Sequence, residues 1–258
     1  MDLKLRGRTV LITGGSKGIG LSIGKWFAAE GCHLRLAARS EAALAEAAAA
    51  IAKTANVEVK TFALDLSEQA ARDKLVAACS DIDILVNNAG AIPGGTLDEV
   101  DDKAWRAGWD LKVFGYINLT RAFLKLMRAR KKGVIINIIG SAGESLDAGY
   151  VAGAVGNAAI MAFTRSIGTV SVNDGVRVVG VNPGPVATER IEVLGRRRAA
   201  RELGDENRWK EYHKHMPYGR AASVDEIAPT VVFLASDLSS YTSGAIFSVN
   251  GGISLRRS

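Results

Sequence analysis

One short stretch, Thr13-Gly14-Gly15-Ser16-Lys17-Gly18-Ile19-Gly20, constrains this chain more than any other. It follows an apolar run, Thr9-Val10-Leu11-Ile12, that reads as a buried strand. It precedes residues 21–29, where Leu21, Ile23, Phe27 and Ala28 mark the apolar face of a helix. A glycine-rich turn between a buried strand and a helix converges backbone N–H groups on one point, where the helix dipole also favours an anion. Gly14 permits the tight turn, Gly18 lets a diphosphate approach the backbone, and Gly20 lets helix and strand pack closely. The pattern by itself also fits a connector that binds nothing. Its place in the first strand–turn–helix unit favours a nucleotide.

The rest of the chain repeats that unit. Strands are predicted over residues 33–38, 57–63, 82–86, 134–139, 176–181 and 245–249, and helices over residues 41–53, 67–78 (Ser67 as N-cap), 105–130 and 151–169. Such alternation predicts an α/β fold, a Rossmann-like doubly wound parallel sheet of about seven strands with helices on both faces. Ligands are then expected at the carboxyl ends of the strands. With no repeats and no linker, residues 1–258 read as one domain. At 48% hydrophobic and 23% charged residues the composition is that of a soluble globular protein. No apolar run is long enough to span a membrane, and the first residues do not open a signal peptide. Cys32 and Cys79 lack metal-ligand spacing and read as reduced core residues, so a cytoplasmic protein without a metal site is expected. The net charge of +6 comes without any nucleic-acid fold signature, which argues against a nucleic-acid partner.

Further motifs follow in order. Asn87-Asn88-Ala89-Gly90 closes the fourth strand, Asn182-Pro183-Gly184-Pro185-Val186-Ala187-Thr188 leaves the sixth, and Thr242-Ser243-Gly244 and Asn250-Gly251-Gly252 bracket the last. Together with the first glycine loop they resemble the short-chain dehydrogenase/reductase family across nearly the whole chain. The resemblance implies a nicotinamide dinucleotide held by Gly14, Ser16, Lys17, Gly18, Ile19 and Gly20, with Asn88, Ala89 and Gly90 bordering it. It further implies that Pro183, Gly184, the Val186 amide and the Thr188 hydroxyl face the nicotinamide carboxamide, and that Asp65 and Leu66 lie at the adenine. An acidic residue at the end of the second strand would select NAD. Here Ala38 is followed by Arg39 and Lys17 lies in the phosphate loop, so NADP is favoured over NAD; solvated surface charges are the alternative reading.

The catalytic positions break the match. The family carries a serine after the fifth strand, then a tyrosine and, one turn on, a lysine, with an asparagine from the preceding long helix. The lysine lowers the tyrosine's pKa by placing a positive charge beside the phenolate. Alignment puts Gly140 at the serine, Gly153 at the tyrosine, Asn157 at the lysine and Lys112 at the asparagine. Lysine and asparagine have thus exchanged helices. A rearranged site is expected: Tyr150 as proton donor or acceptor, Lys112 as the charge that tunes it, Asn157 on the nicotinamide ribose and Ser141 near the substrate oxygen. Tyr150 precedes Asn157 by seven residues, about two helical turns, and would share its face if the helix begins early enough.

Residues 189–217 occupy the place of the family's variable substrate lid. Arg190, Arg196, Arg197, Arg198 and Arg201 there fit either an anionic small-molecule substrate or a solvated face, and Trp209 and Tyr212 either line a pocket or pack. His213 and His215 are spaced wrongly for a metal. The expected function is hydride transfer between a nicotinamide cofactor and a carbonyl or alcohol. The alternatives are a nucleotide-binding regulatory protein without redox activity, or a non-redox lyase or hydratase. The resemblance also implies a homo-oligomer, a tetramer or dimer, through the two long helices, with Leu119, Phe123, Leu126, Met161 and Ile167 available for it.

Overall fold

The computed structural model describes residues 2–255. Seven parallel strands form one sheet in the order β3-β2-β1-β4-β5-β6-β7: β1 Thr9–Thr13, β2 His33–Ala38, β3 Val59–Ala63, β4 Ile84–Asn87, β5 Gly133–Ile138, β6 Val176–Pro183 and β7 Ile246–Val249. Every residue of β4, β5 and β6 is buried, which explains why they are mostly apolar: a parallel sheet is covered on both faces. Helices α1 Gly18–Ala29, α2 Glu41–Ala52 and α8 Ala228–Ala235 cover one face over Ile12, Ile23, Phe27, Leu34 and Val231. Helices α3 Gln69–Ala78 and α5 Gly115–Arg130 cover the other over Leu11, Leu75, Leu85, Phe123 and Ile135. Strand order reverses between β1 and β4, and the crevice at their carboxyl ends is where such a sheet places its ligand.

The helix expected over residues 105–130 begins earlier, as α4 Asp102–Trp109, where the Asp101 carboxylate accepts from the Ala104 amide at 2.7 Å. It runs into α5 through a π-helical turn, Asp110–Phe114, that contains Lys112. Ser67 does not cap α3. Its hydroxyl and amide both donate to the Asp65 carboxylate, at 2.7 and 3.0 Å, and the helix starts at Gln69. The last long helix, α6, is Val151–Ser171. Leu119, Phe123 and Met161, expected at a subunit interface, are buried within the chain, while Leu126 and Ile167 are only partly buried and keep some exposed surface. Helix α7, Glu189–Leu203, and the 3-10 turns Glu206–His215 build the segment expected as a lid. Among the described residues no helix is long and apolar enough to cross a membrane.

Candidate active site

The exit of β1 is held by side chains of the segment after β4. The Asn88 and Ala89 amides donate to the Thr13 hydroxyl at 2.9 and 3.1 Å, and the Asn88 side-chain amide donates to the Thr13 and Gly14 carbonyls. Gly14 and Gly18 take positive φ (+67° and +56°), so both turns need glycine. A Cβ at Gly20 would sit 2.2 Å from the Gly14 carbonyl oxygen, which is the close helix–strand packing expected there. The N-terminus of α1 carries no side-chain cap, leaving its first amides for a ligand. Thr188 faces the loop, its methyl 3.3 Å from where a Gly18 Cβ would stand. The Thr188 hydroxyl donates to the Val186 carbonyl at 3.3 Å, and the uncapped helix start with its glycine cradle fits a dinucleotide's diphosphate. Arg39 is exposed and close enough to Asp65 to help hold its carboxyl below the usual range, after the two hydrogen bonds from Ser67. Lys17 pairs with Glu189 at the mouth of the crevice. Leu66 is buried in the core, so only its backbone is available to a ligand.

Deeper in, a cavity of about 640 Å³ is lined by Lys112, Ser141, Tyr150, Asn157 and Arg190, and by Asn88, Gly184, Val186 and Thr188 of the cofactor set. The structure therefore brings the four displaced catalytic candidates together in one cavity. The Lys112 ammonium donates to the Ile139 carbonyl at 2.5 Å and to Asn157 Oδ1 at 2.8 Å. Burial, and secondarily the positive charge of Arg190, push the Lys112 pKa down to about 7. Ser141 is buried at the start of a 3-10 turn after β5.

Helix α6 does not begin early enough to include Tyr150. The tyrosine is the N-cap, with φ −140° and ψ 37°, because the 92–100 loop pins the preceding backbone: the Gly95 amide donates to the Gly149 carbonyl at 2.9 Å. Its ring folds back over the helix instead. A Cβ at Gly153 would lie 2.0 Å from Tyr150 Cζ, so the ring occupies the volume of a side chain at 153, where the resemblance places a tyrosine. The same device recurs twice. A Cβ at Gly90 would meet Lys112 Cδ at 2.9 Å, and one at Gly140 would meet the Asn157 amide nitrogen at 3.0 Å. Three glycines clear the space that three site side chains fill.

A buried polar ladder steadies the floor. Asn87 Nδ2 donates to Thr120 and to Asn137, and Asn137 donates to Thr164, linking β4 and β5 to α5 and α6. Sequence reasoning quoted Asn87 but missed this ladder, whose sequence signal is a polar residue ending an otherwise apolar strand. It also left Arg190 undistinguished among the lid arginines. Its guanidinium donates to the Ile92 carbonyl and reaches the Tyr150 hydroxyl at 3.5 Å. By contrast Arg196 pairs with Glu192, Arg198 with Glu202 and Asp147, and Arg201 with Glu99 and Glu202. Trp209 and Tyr212 line the cavity. Among the described residues no group of three His, Cys, Asp or Glu side chains is placed to hold a metal ion.

Comparisons with known proteins agree with the fold. The family model for short chain dehydrogenases matches residues 8–198. The chain is 33% identical, over 97% of its length and 81% of the relative's, to a 2-keto-3-deoxy-L-fuconate dehydrogenase of Xanthomonas campestris pv. campestris. It is 33% identical, over 96% of each chain, to a galactitol 2-dehydrogenase (L-tagatose-forming) of Cereibacter sphaeroides. The crystal structure of the L-sorbose reductase of Gluconobacter frateurii with NADPH and L-sorbose superposes with a TM-score of 0.89 at 32% identity, over 100% of both chains. The fold is Rossmann-like, and the chain belongs to the short-chain dehydrogenase family, whose relatives here are NAD(P)-dependent oxidoreductases.

Proposed function

We propose that this chain is an NADP-dependent oxidoreductase that interconverts a carbonyl and an alcohol, and that it does so with a rearranged catalytic site. The observation that carries the reading is the Lys112 ammonium, hydrogen-bonded to Asn157 at 2.8 Å in the cavity that also holds Ser141 and Tyr150. The residues that would hold the dinucleotide are the Gly14–Gly20 loop with Ser16, Lys17 and Ile19, Asn88 to Gly90, Asp65 and the Leu66 backbone, and Pro183, Gly184, Val186 and Thr188. Bound there, the nicotinamide supplies the hydride or accepts it. The exposed cations Lys17 and Arg39 suit a 2′-phosphate, in keeping with the NADPH of the sorbose reductase complex.

The chain's own residues handle the proton. Tyr150 exchanges it with the substrate oxygen, and its ring rests where a tyrosine at 153 would lie. Lys112 supplies the cation of the site from the π-turn between α4 and α5 rather than from α6. Asn157 orients that ammonium through its Oδ1 and keeps its amide nitrogen for the nicotinamide ribose. Ser141 offers a hydroxyl to the substrate oxygen. The lid, residues 189–217, is tied across the cavity by Arg201–Glu99 and Arg198–Asp147 and would exclude water from the reaction. The likeness to dehydrogenases and a reductase of sugar-like compounds supports a small polyhydroxylated substrate, neutral as galactitol and L-sorbose are or acidic as 2-keto-3-deoxy-L-fuconate is. The test is a panel of carbonyl compounds offered with NADPH and, separately, with NADH. Oxidation of NADPH by some member, faster than of NADH, is expected. No oxidation of either at saturating dinucleotide would overturn the proposal.

A further inference from the structure

Arg190 is a guanidinium facing the cavity with no counter-charge. It is half-buried at the second residue of α7, and both of its contacts, to the Ile92 carbonyl and the Tyr150 hydroxyl, are made by Nη2. Among the described residues no acidic side chain pairs with it. The carboxylate next to it in sequence, Glu189, turns away to Lys17, and the cavity's other inner arginines, Arg198 and Arg201, are matched by Glu202, Asp147 and Glu99. Arg190 also lies close enough to Lys112 for the two charges to oppose one another. Lys112 and Arg190 both face the cavity and, among the described residues, neither has an acidic partner, an arrangement that a bound anion relieves. Five N–H donors in a planar fork match a carboxylate, and Nη1 and Nε are uncommitted. Such a fork binds a planar carboxylate through two parallel hydrogen bonds.

We infer that Arg190 is the specificity-determining residue for a substrate carboxylate, so that the carbonyl compound is an oxo acid and the alcohol the corresponding hydroxy acid. The inference rests on the oxidoreductase reading above. Because Arg190 reaches the Tyr150 hydroxyl at 3.5 Å, the carboxylate is seated beside the proton-exchanging group, and the reacting carbonyl stands one or two carbons from it. In the direction of reduction the carbonyl carbon takes a hydride from NADPH and its oxygen takes a proton, while the carboxylate is unchanged.

The experiment compares 2-oxo and 3-oxo acids with their neutral methyl esters, using NADPH and the intact protein, alongside calorimetric binding of malonate and oxalate. A kcat/KM ratio of acid to ester of about 10 to 100 is expected, the span of a charge-assisted hydrogen-bonded pair. In Arg190→Met that ratio falls toward one, chiefly through a rise in KM for the acid, and Arg190→Lys restores part of it. Malonate or oxalate binding weakens about 10-fold or more in Arg190→Met. Esters preferred by the wild type, or an acid-to-ester ratio unmoved by Arg190→Met, would overturn the inference while leaving the oxidoreductase reading standing. If no carbonyl oxidises NADPH yet dicarboxylate binding depends on Arg190, the redox reading fails and the carboxylate site remains. If Arg190→Met does not fold, the wild-type acid-to-ester ratio decides.

Discussion

Lys112 offers the sharpest quantitative handle, because its cost to the fold depends on pH. Burial and Arg190 take its pKa from the ordinary 10.5 to about 7. Below about pH 7 the ammonium is charged in both folded and unfolded chains, and the folded state carries the full penalty. Between about 7 and 10.5 the unfolded chain binds the extra proton, so stability rises with pH by up to about 1.4 kcal/mol per unit. Above that range the penalty is gone. Part of the side chain touches the water of an open cavity, so the expected gain from about pH 7.5 to 9.5 is about 2 kcal/mol. Other groups also titrate there, and Lys112→Met removes only this one. Urea unfolding of both proteins across that interval should give a difference, wild type minus Lys112→Met, that climbs by about 2 kcal/mol. Parallel curves would refute the claim that the ammonium is desolvated where it stands, and with it the site built around it.

Tyr150→Phe keeps the ring over Gly153 and removes only the hydroxyl, so kcat should fall about 100-fold or more with little change in melting temperature. Gly153→Ala puts a methyl where the ring lies. Because the ring can swing into the cavity, a stability loss of about 1 kcal/mol or less should accompany a loss of activity as large as that of Tyr150→Phe, read by unfolding and initial rates. Arg39→Asp should raise the KM for NADPH about 10-fold or more and improve NADH use, measured as the ratio of the two kcat/KM values.

The fold was legible because strand and helix each announce themselves by length and period. The runs that became β4, β5 and β6 are mostly apolar because both faces of the sheet are covered, and the first glycine loop has positive φ where only glycine is comfortable. Lys112 and Asn157, which the sequence pattern singles out together, meet in the structure. What stayed hidden is three-dimensional. Nothing in Asp110-Leu111-Lys112-Val113-Phe114 signals a π-turn. Tyr150 would share the helix face of Asn157 only if the helix began early enough, and the loop at Gly95, 55 residues earlier in sequence, decides where that helix starts. Ser67 looked like a cap and serves Asp65 instead, since both are competent partners within two residues. The apolar residues of α5 and α6 could face a partner or the sheet, and period alone does not choose between them. Arg190 differs from Arg196, Arg198 and Arg201 in lacking a carboxylate within reach and from the exposed Arg197 in reaching Tyr150, both facts of packing.

The most direct test of the account follows the hydride itself. With NADPH carrying deuterium at the transferable C4 position and a carbonyl that the panel identifies, the wild type should place the label on the carbinol carbon of the product. Lys112→Met should do so about 100-fold more slowly or worse. Absence of label from every alcohol formed at saturating NADPH, or transfer at the wild-type rate in Lys112→Met, would contradict an oxidoreductase whose cation comes from the helix before β5.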